Sequence, residues 1–254
     1  MDAHAQLVPP VPHVSSGPAL ELEALVFDVF GTLVDWRSSL IEDLTAFGAE
    51  RGIVADWPAF VDAWRGAYAP SMDRVRHGEQ PWTSLDALHR ASFTRLATQY
   101  GFENALDEAG RRWCVDRWHR LRPWPDTVAG LRRLRTRYLL GTLSNGNVRL
   151  LADLAKSARL PMDVILSAEL FRHYKPDPEV YRGAIDLLGA EPRRVMLVAA
   201  HNSDLQAAAQ QGMRTAFVAR PFEYGPDQQK DQVADPGIEF NVRDLGELAD
   251  RLGA

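Results

Sequence analysis

Ala24-Leu25-Val26-Phe27-Asp28-Val29-Phe30-Gly31-Thr32-Leu33 is the stretch whose reading decides the fold. An apolar run leads straight into Asp28, and Gly31-Thr32 turns the chain away. A short apolar run ending at turn residues predicts a buried strand of a parallel sheet. Open α/β sheets bind ligands beyond the carboxyl ends of their strands. Asp28 is therefore a carboxylate that a rigid strand carries to that edge. There it can serve as nucleophile, base or metal ligand; the plainer alternative is a cap for the next helix.

After Asp35 the pattern turns helical and stays so to about Leu121. Leu40, Leu44 and Phe47 share a helical spacing, as do Phe60, Ala63, Trp64 and Ala67, then Leu85, Leu88 and Phe93. Pro70, Gly78 and Pro81 separate the pieces. Arg122-Pro123-Trp124-Pro125-Asp126 marks the return, with Asp126 placed to cap a helix. Strands then alternate with helices: Tyr138 to Leu143, Asp163 to Leu166, Val195 to Ala200 and Arg214 to Val218 are the strands. Asp177-Pro178 opens a helix as N-cap and first residue. A further helix runs from Asp204 to Gln211 and is closed by Gly212, and a last one spans 244–252. The alternation predicts an α/β fold, a doubly wound parallel sheet covered on both faces. Residues 21–36 and 122–254 form its Rossmann-like core, and residues 37–121 an inserted α-helical cap subdomain. Residues 1–20, Pro-rich and without a basic start and apolar core, predict a disordered tail and not a signal peptide.

The 254 residues, 46% hydrophobic and 25% charged, suit one sizeable globular unit. A net charge of −5 with dispersed arginines gives no basic stripe for nucleic acid. No apolar run approaches the roughly 20 residues that span a bilayer. The single cysteine, Cys114, excludes an internal disulfide and a thiolate cluster. These points make the cytoplasm the default location. No Gly-x-Gly-x-x-Gly fingerprint is present, so no dinucleotide cofactor is expected.

Four segments at the carboxyl edge of the sheet carry polar residues: Asp28 and Thr32; Ser144-Asn145-Gly146; Tyr174-Lys175-Pro176; and His201-Asn202-Ser203-Asp204. On one parallel sheet they converge. Together they resemble the four motifs of the haloacid dehalogenase superfamily, over about residues 22–220. Asp28 stands at the nucleophile, Ser144 at the second motif, Lys175 at the third and Asp204 at the acidic end of the fourth. The sequence departs from the phosphatase members twice. Phe30 stands where their leaving-group acid would be. Ala199 and Ala200 stand where they carry acidic ligands for Mg²⁺. The nucleophile is kept while the acid and the metal site are lost, so no metal and no cofactor is expected.

Loss of a halide from sp³ carbon needs neither acid nor metal, and the chain is similar to the (S)-2-haloacid dehalogenases. Trp64-Arg65 in the insert and Tyr181, six residues after Lys175, match that family as well. The resemblance implies that Asp28 displaces halide from a short 2-haloacid, giving an aspartyl ester that water hydrolyses to a 2-hydroxy acid. Lys175 would keep Asp28 ionised, Thr32 would bond it, and Asp204 would position or activate water. Ser144 and Asn145 would bind the substrate carboxylate or the halide. Arg65 would receive the halide and attract the anionic substrate, with Tyr181 and Phe30 lining the same mouth. Trp64, Trp82, Trp113 and Trp118 read as packing of the insert. The family pattern also implies a homodimer. Ala199-Ala200-His201 replaces its Ser-Ser-Asn. His201 then either orients water or is structural, and a smaller halide site, open even to fluoride, becomes a reading with His201, Arg65 and Tyr181 as donors. The alternatives are a phosphatase or phosphonate hydrolase of the same fold, and a non-catalytic anion-binding relative.

Overall fold

The computed structural model describes residues 21–254; the expected tail, residues 1–20, lies outside them. Strand β1 (Ala24–Phe27) leads through a tight turn to the two-residue strand β2 (Val34–Asp35), which pairs antiparallel with β3 (Arg122–Pro123). Everything between β2 and β3 is helix or loop: α1 (Trp36–Arg51), α2 (Trp57–Gly66), α3 (Tyr68–Arg76), α4 (Leu85–Gln99) and α5 (Glu108–Val115). The Asp35 and Asp56 side chains cap α1 and α2 by accepting from Ser38 N and Ala59 N, both at 3.0 Å. Trp64 and Trp118 are fully buried, with ring centroids 5.5 Å apart. Trp82 packs outward on Tyr174, 4.7 Å between rings, and Tyr174 donates to Thr83 O at 2.7 Å.

The chain then alternates. After β3 come α6 (Thr127–Leu134), β4 (Leu139–Ser144), α7 (Val148–Ser157), β5 (Val164–Ser167), α8 (Ala168–Phe171) and α9 (Pro178–Leu188). The remainder is β6 (Val195–Ala199), α10 (Asn202–Gln210), β7 (Arg214–Val218), β8 (Phe240–Val242) and α11 (Leu245–Leu252). Among the described residues, six parallel strands form one sheet in the order β5-β4-β1-β6-β7-β8, as the alternation predicted. Leu25, Val26 and Phe27 are wholly buried. A central parallel strand with helices over the sheet faces sees no water. From β1 the chain proceeds towards β4, and from β6 towards β7. The two neighbours β1 and β6 thus flank the point where strand order reverses, and a crevice opens there.

Some expectations need correction. β8 was not anticipated, because three residues in a polar stretch carry no periodic signal. Asp177 and Asp126 precede their helices but do not cap them by side chain. Arg76 of α3 draws the Asp177 carboxylate away at 2.8 Å. Arg220 grips Asp126 at 2.7 and 2.9 Å, and Asp126 accepts from Leu245 N at the start of α11. Helix α10 starts earlier than expected, at Asn202, which places Asp204 inside its first turn. No helix among the described residues is long and apolar enough to cross a membrane.

Candidate active site

The turn after β1 is closed by its own backbone, with Leu33 N donating to Val29 O and Gly31 N to Val34 O. Three distant side chains then pin its outward carbonyls. Trp124 Nε1 donates to Gly31 O (2.8 Å), Arg220 Nε to Thr32 O (2.9 Å) and Thr127 Oγ1 to Leu33 O (2.9 Å). Thr32 Oγ1 accepts from Ala200 N at 2.9 Å, so the ends of β1 and β6 are tied together. Its own proton goes to Asp28 Oδ2, 2.8 Å away.

Asp28 lies just beyond β1 and is 7% exposed. Lys175 Nζ is 3.2 Å from Oδ1, and His201 Nδ1 is 3.3 Å from Oδ2. Burial opposes ionisation, but the Lys175 ammonium, His201 and Thr32 outweigh it and hold the carboxyl well below the usual carboxylate range. Lys175 Nζ also lies 2.5 Å from Asp204 Oδ2, whose other oxygen accepts from Tyr181 OH at 2.7 Å. Burial, with the nearby Asp28 charge, raises the Asp204 carboxyl against the pull of Lys175. Lys175 itself is raised: desolvation works against its charge, and the two carboxylates overcome it. Burial likewise opposes the charge on His201, yet Glu223 and Asp28 lift it to about 10.

A cavity of about 150 Å³ opens over Asp28. Of the residues singled out in the sequence, Asp28, Phe30, Arg65, Asn145, Lys175, Tyr181, His201 and Asp204 line it together. Arg65 is the one that comes from the insert. Its guanidinium lies 4.2 Å from the Tyr68 ring centre and 5.4 Å from that of Trp36. Its Nη1 is buried and has no hydrogen-bond partner among the described residues. The insert tryptophans Trp64, Trp82, Trp113 and Trp118 are not part of the lining. Thr32 stands behind Asp28 rather than on the wall.

Two residues sit differently from expectation. Ser144 is fully buried and outside the lining, its hydroxyl without a partner among the described residues. It is still in register with Ser167 in the sheet, so Asn145 is the first residue past the edge. Asn145 accepts from Lys175 N at 2.8 Å. Tyr181 does line the cavity, but its hydroxyl proton is given to Asp204, so it is no free donor to a halide.

Sequence reasoning passed over Tyr68 and Met72, which line the cavity beside Arg65. Their spacing from Arg65, three and then four residues, was the available signal. It also passed over Glu223, which backs His201 from the far side at 2.9 Å. Glu223 follows the end of β7, and the strand-edge rule extended to that strand would have marked it.

A family model for haloacid dehalogenase-like hydrolases matches residues 22–212. The chain belongs to that family. Within it, the (S)-2-haloacid dehalogenase 4A of Burkholderia cepacia is 30% identical over 226 residues, covering 84% of this chain and 90% of that protein. The crystal structure of the L-2-haloacid dehalogenase PA0810 superposes with a TM-score of 0.88 at 52% identity, covering 91% of this chain and 99% of that one. That of the defluorinating L-2-haloacid dehalogenase Rha0230 gives 0.89 at 40% identity, with 92% and 96% covered. This member of the family carries Asp28 at the end of its first strand, with Phe30 two residues on and Ala199 and Ala200 at the end of β6.

Proposed function

We propose that this chain hydrolyses short (S)-2-haloacids to 2-hydroxy acids through an aspartyl ester on Asp28, without a metal. The observation that carries the reading is an ionised Asp28, held between Lys175, Thr32 and His201, facing a cavity in which a buried Arg65 N–H lacks a partner among the described residues. Buried polar groups without partners are rare and costly; an anionic substrate or a departing halide supplies this one with an acceptor. Asp28 Oδ2 accepts from Thr32 and also faces His201, whereas Oδ1 meets Lys175 alone, so Oδ1 is the better nucleophile. Attack on Cα from behind the carbon–halogen bond inverts the centre. Asn145, with Arg65, binds the substrate carboxylate or the halide. Asp204, raised towards the neutral form and held by Lys175 and Tyr181, positions the hydrolytic water and accepts its proton.

Phe30 has no proton to give, which removes the leaving-group acid that a phosphate ester requires and that chloride or bromide does not. Mg²⁺ asks for several oxygen ligands in near-octahedral array. Among the described residues the carboxylates lining the cavity are Asp28 and Asp204, both held by Lys175, and Ala199 and Ala200 contribute none. The helical insert, residues 37–121, acts as a cap: Arg65, Tyr68 and Met72 close the cavity over the sheet edge and keep bulk water off the nucleophile. The small cavity and the relative named as defluorinating support extending the substrate range to fluoroacetate, with Arg65 and His201 as donors to fluoride. The reading also keeps the family expectation of a homodimer in the cytoplasm.

The test is halide release from separate enantiomers of 2-chloropropionate with excess chelator, beside a generic phosphate ester with Mg²⁺. Chelator-resistant release from the (S) form, abolished in Asp28→Ala, is expected. Phosphate release that depends on Mg²⁺, with no halide, would overturn the reading. Fluoride from fluoroacetate is measured in the same way; its absence alongside chloride release removes only the fluoride extension.

A further inference from the structure

Glu223 takes no part in the reaction just described, yet it is 1% exposed and sits directly behind the site. Its oxygens lie 2.9 and 3.1 Å from His201 Nε2. On the other side of the same ring, Nδ1 is 3.3 Å from Asp28 Oδ2. Ionised carboxylates only accept, and a neutral imidazole has a single N–H. A ring placed between two carboxylates satisfies both only as imidazolium. Trp36 Nε1 donates to Glu223 Oε1 at 3.0 Å, and Arg65 Nη2 is 3.8 Å from the same atom. Gly31, at φ +87°, leaves the room: a Cβ there would overlap the Glu223 carboxylate. One buried carboxylate therefore touches the histidine on the nucleophile, the arginine of the insert and the first helix of the insert.

We propose that Glu223 is a positioning residue that keeps His201 cationic beside Asp28 Oδ2, making His201 an oxyanion-stabilising group of ester hydrolysis. The inference rests on the aspartyl-ester reading for its chemistry. In that step the water oxygen bonds to Cγ of Asp28, and the carbonyl electron pair moves onto Oδ2. Collapse re-forms the carbonyl and breaks the Cγ–Oδ1 bond. Its electrons leave on the oxygen of the 2-hydroxy acid, which takes one of the two water protons. The other proton is lost to solvent, balancing the halide released earlier, and Asp28 is again a carboxylate. Oδ2 is the atom on which charge appears; Thr32 Oγ1 donates to it and the His201 ring stands 3.3 Å away. Donors fixed in advance where charge develops act without reorganisation. The other charges around His201 are Lys175 and Arg65, which oppose its protonation, Asp204, which favours it, and Lys230 and Asp62, of opposite sign, on the wall of the adjoining outer cavity.

The experiment compares wild type, Glu223→Gln and Glu223→Asp. His201 is followed by ¹⁵N NMR in the free protein, its signals assigned with His201→Gln. Wild-type His201 is expected to carry both N–H protons at neutral pH and to lose one only in the alkaline range. In Glu223→Gln that titration moves down by about one pH unit or more, as loss of an adjacent opposite charge requires. With 2-chloropropionate, kcat falls by roughly a factor of ten to a hundred, within the usual effect of one oxyanion donor. KM falls with it, leaving kcat/KM nearly unchanged, and ester on Asp28 accumulates as an added mass on the intact protein. Glu223→Asp keeps the pH profile nearer to that of wild type. A neutral wild-type His201 at neutral pH overturns the proposal, even if Glu223→Gln fails to fold. So does a Glu223→Gln variant that melts earlier but keeps the wild-type pH profile and ester level. Absence of halide release by the wild type would instead sink the aspartyl-ester reading and leave the His201 titration to decide the role of Glu223.

Discussion

At the residue scale the central fact is one ammonium shared by two buried carboxylates. Lys175 Nζ reaches Asp28 and Asp204 at 3.2 and 2.5 Å, and without it two like charges would face each other in a buried site. Asp28 has a depressed pKa in the folded protein. Its contribution to stability is therefore present above its unfolded value and lost as pH falls through the folded one. Activity that needs ionised Asp28 extends to the same low pH. Lys175→Met is expected to move the acid limb of the kcat/KM profile upward by about one to three pH units, the usual effect of an adjacent opposite charge. A pH–rate profile measured on folded variant checks this. An acid limb left where it was would mean that His201 and Thr32 suffice.

At the scale of elements, two clamps hold the site together. The first is the Arg220–Asp126 pair, which joins the loop after β7 to the start of α6 and presents Arg220 Nε to the carbonyl of Thr32. Asp126 is half-buried and Arg220 buried, so removing the carboxylate strands the guanidinium, at a cost of up to about 3 kcal/mol. Asp126→Ala is expected to lose stability on that scale in urea unfolding and to lower kcat, because the turn carrying Asp28 loses one of its three outer anchors. The second clamp joins α4 to α7. His119 Nε2 meets Asp86 and Nδ1 meets Asp153, both at 3.1 Å, while Asn147 Nδ2 donates to Asp86 at 2.9 Å. Burial disfavours the His119 charge, but Asp86 and Asp153 raise its pKa nonetheless. The resulting stability is fully present below the unfolded value of roughly 6.5 and is lost as pH rises through the elevated folded value. His119→Gln is thus expected to lower Tm more in mildly acidic than in alkaline buffer. Thermal melts across that range decide it, and an equal loss at both ends would count against a charged clamp.

For the molecule as a whole, the cavity exists only because the insert folds back over the sheet edge. Arg65, Tyr68 and Met72 arrive from one side and the strand-end residues from the other, enclosing about 150 Å³. Drug-sized ligands ask for roughly 300 Å³ or more, so this space suits a short acid. The kcat/KM for 2-chloro acids is expected to fall at least about tenfold between the three-carbon and six-carbon chains, since a substrate that does not fit forfeits its binding energy. A flat series would show that the outer cavity beside Tyr224 and Lys230 admits the longer chain.

Much of this was legible in the chain itself. Apolar runs ending in Asp28, Ser144 and the His201 segment are local signals: burial on both faces demands continuous hydrophobicity, and the polar residue follows where the sheet ends. The period change after Asp35 likewise marked the helical segment, because helix and strand place apolar side chains at different spacings. What the chain alone could not settle depends on contacts between residues far apart in sequence. Whether Asp126 and Asp177 cap their helices turned on Arg220 and Arg76, which outbid the local backbone. Whether the Tyr181 hydroxyl was free turned on Asp204. Glu223 has only its place past the end of β7 to mark it; its meaning comes from His201, Trp36, Arg65 and the bare Cα of Gly31 meeting around it. The sequence by itself determined which strands form and which chemistry-bearing residues stand at their ends, since both follow from near neighbours. Only the tertiary structure decided which charges surround His201 and the partner of each carboxylate, because electrostatics in a buried site depends on distance through space and not along the chain.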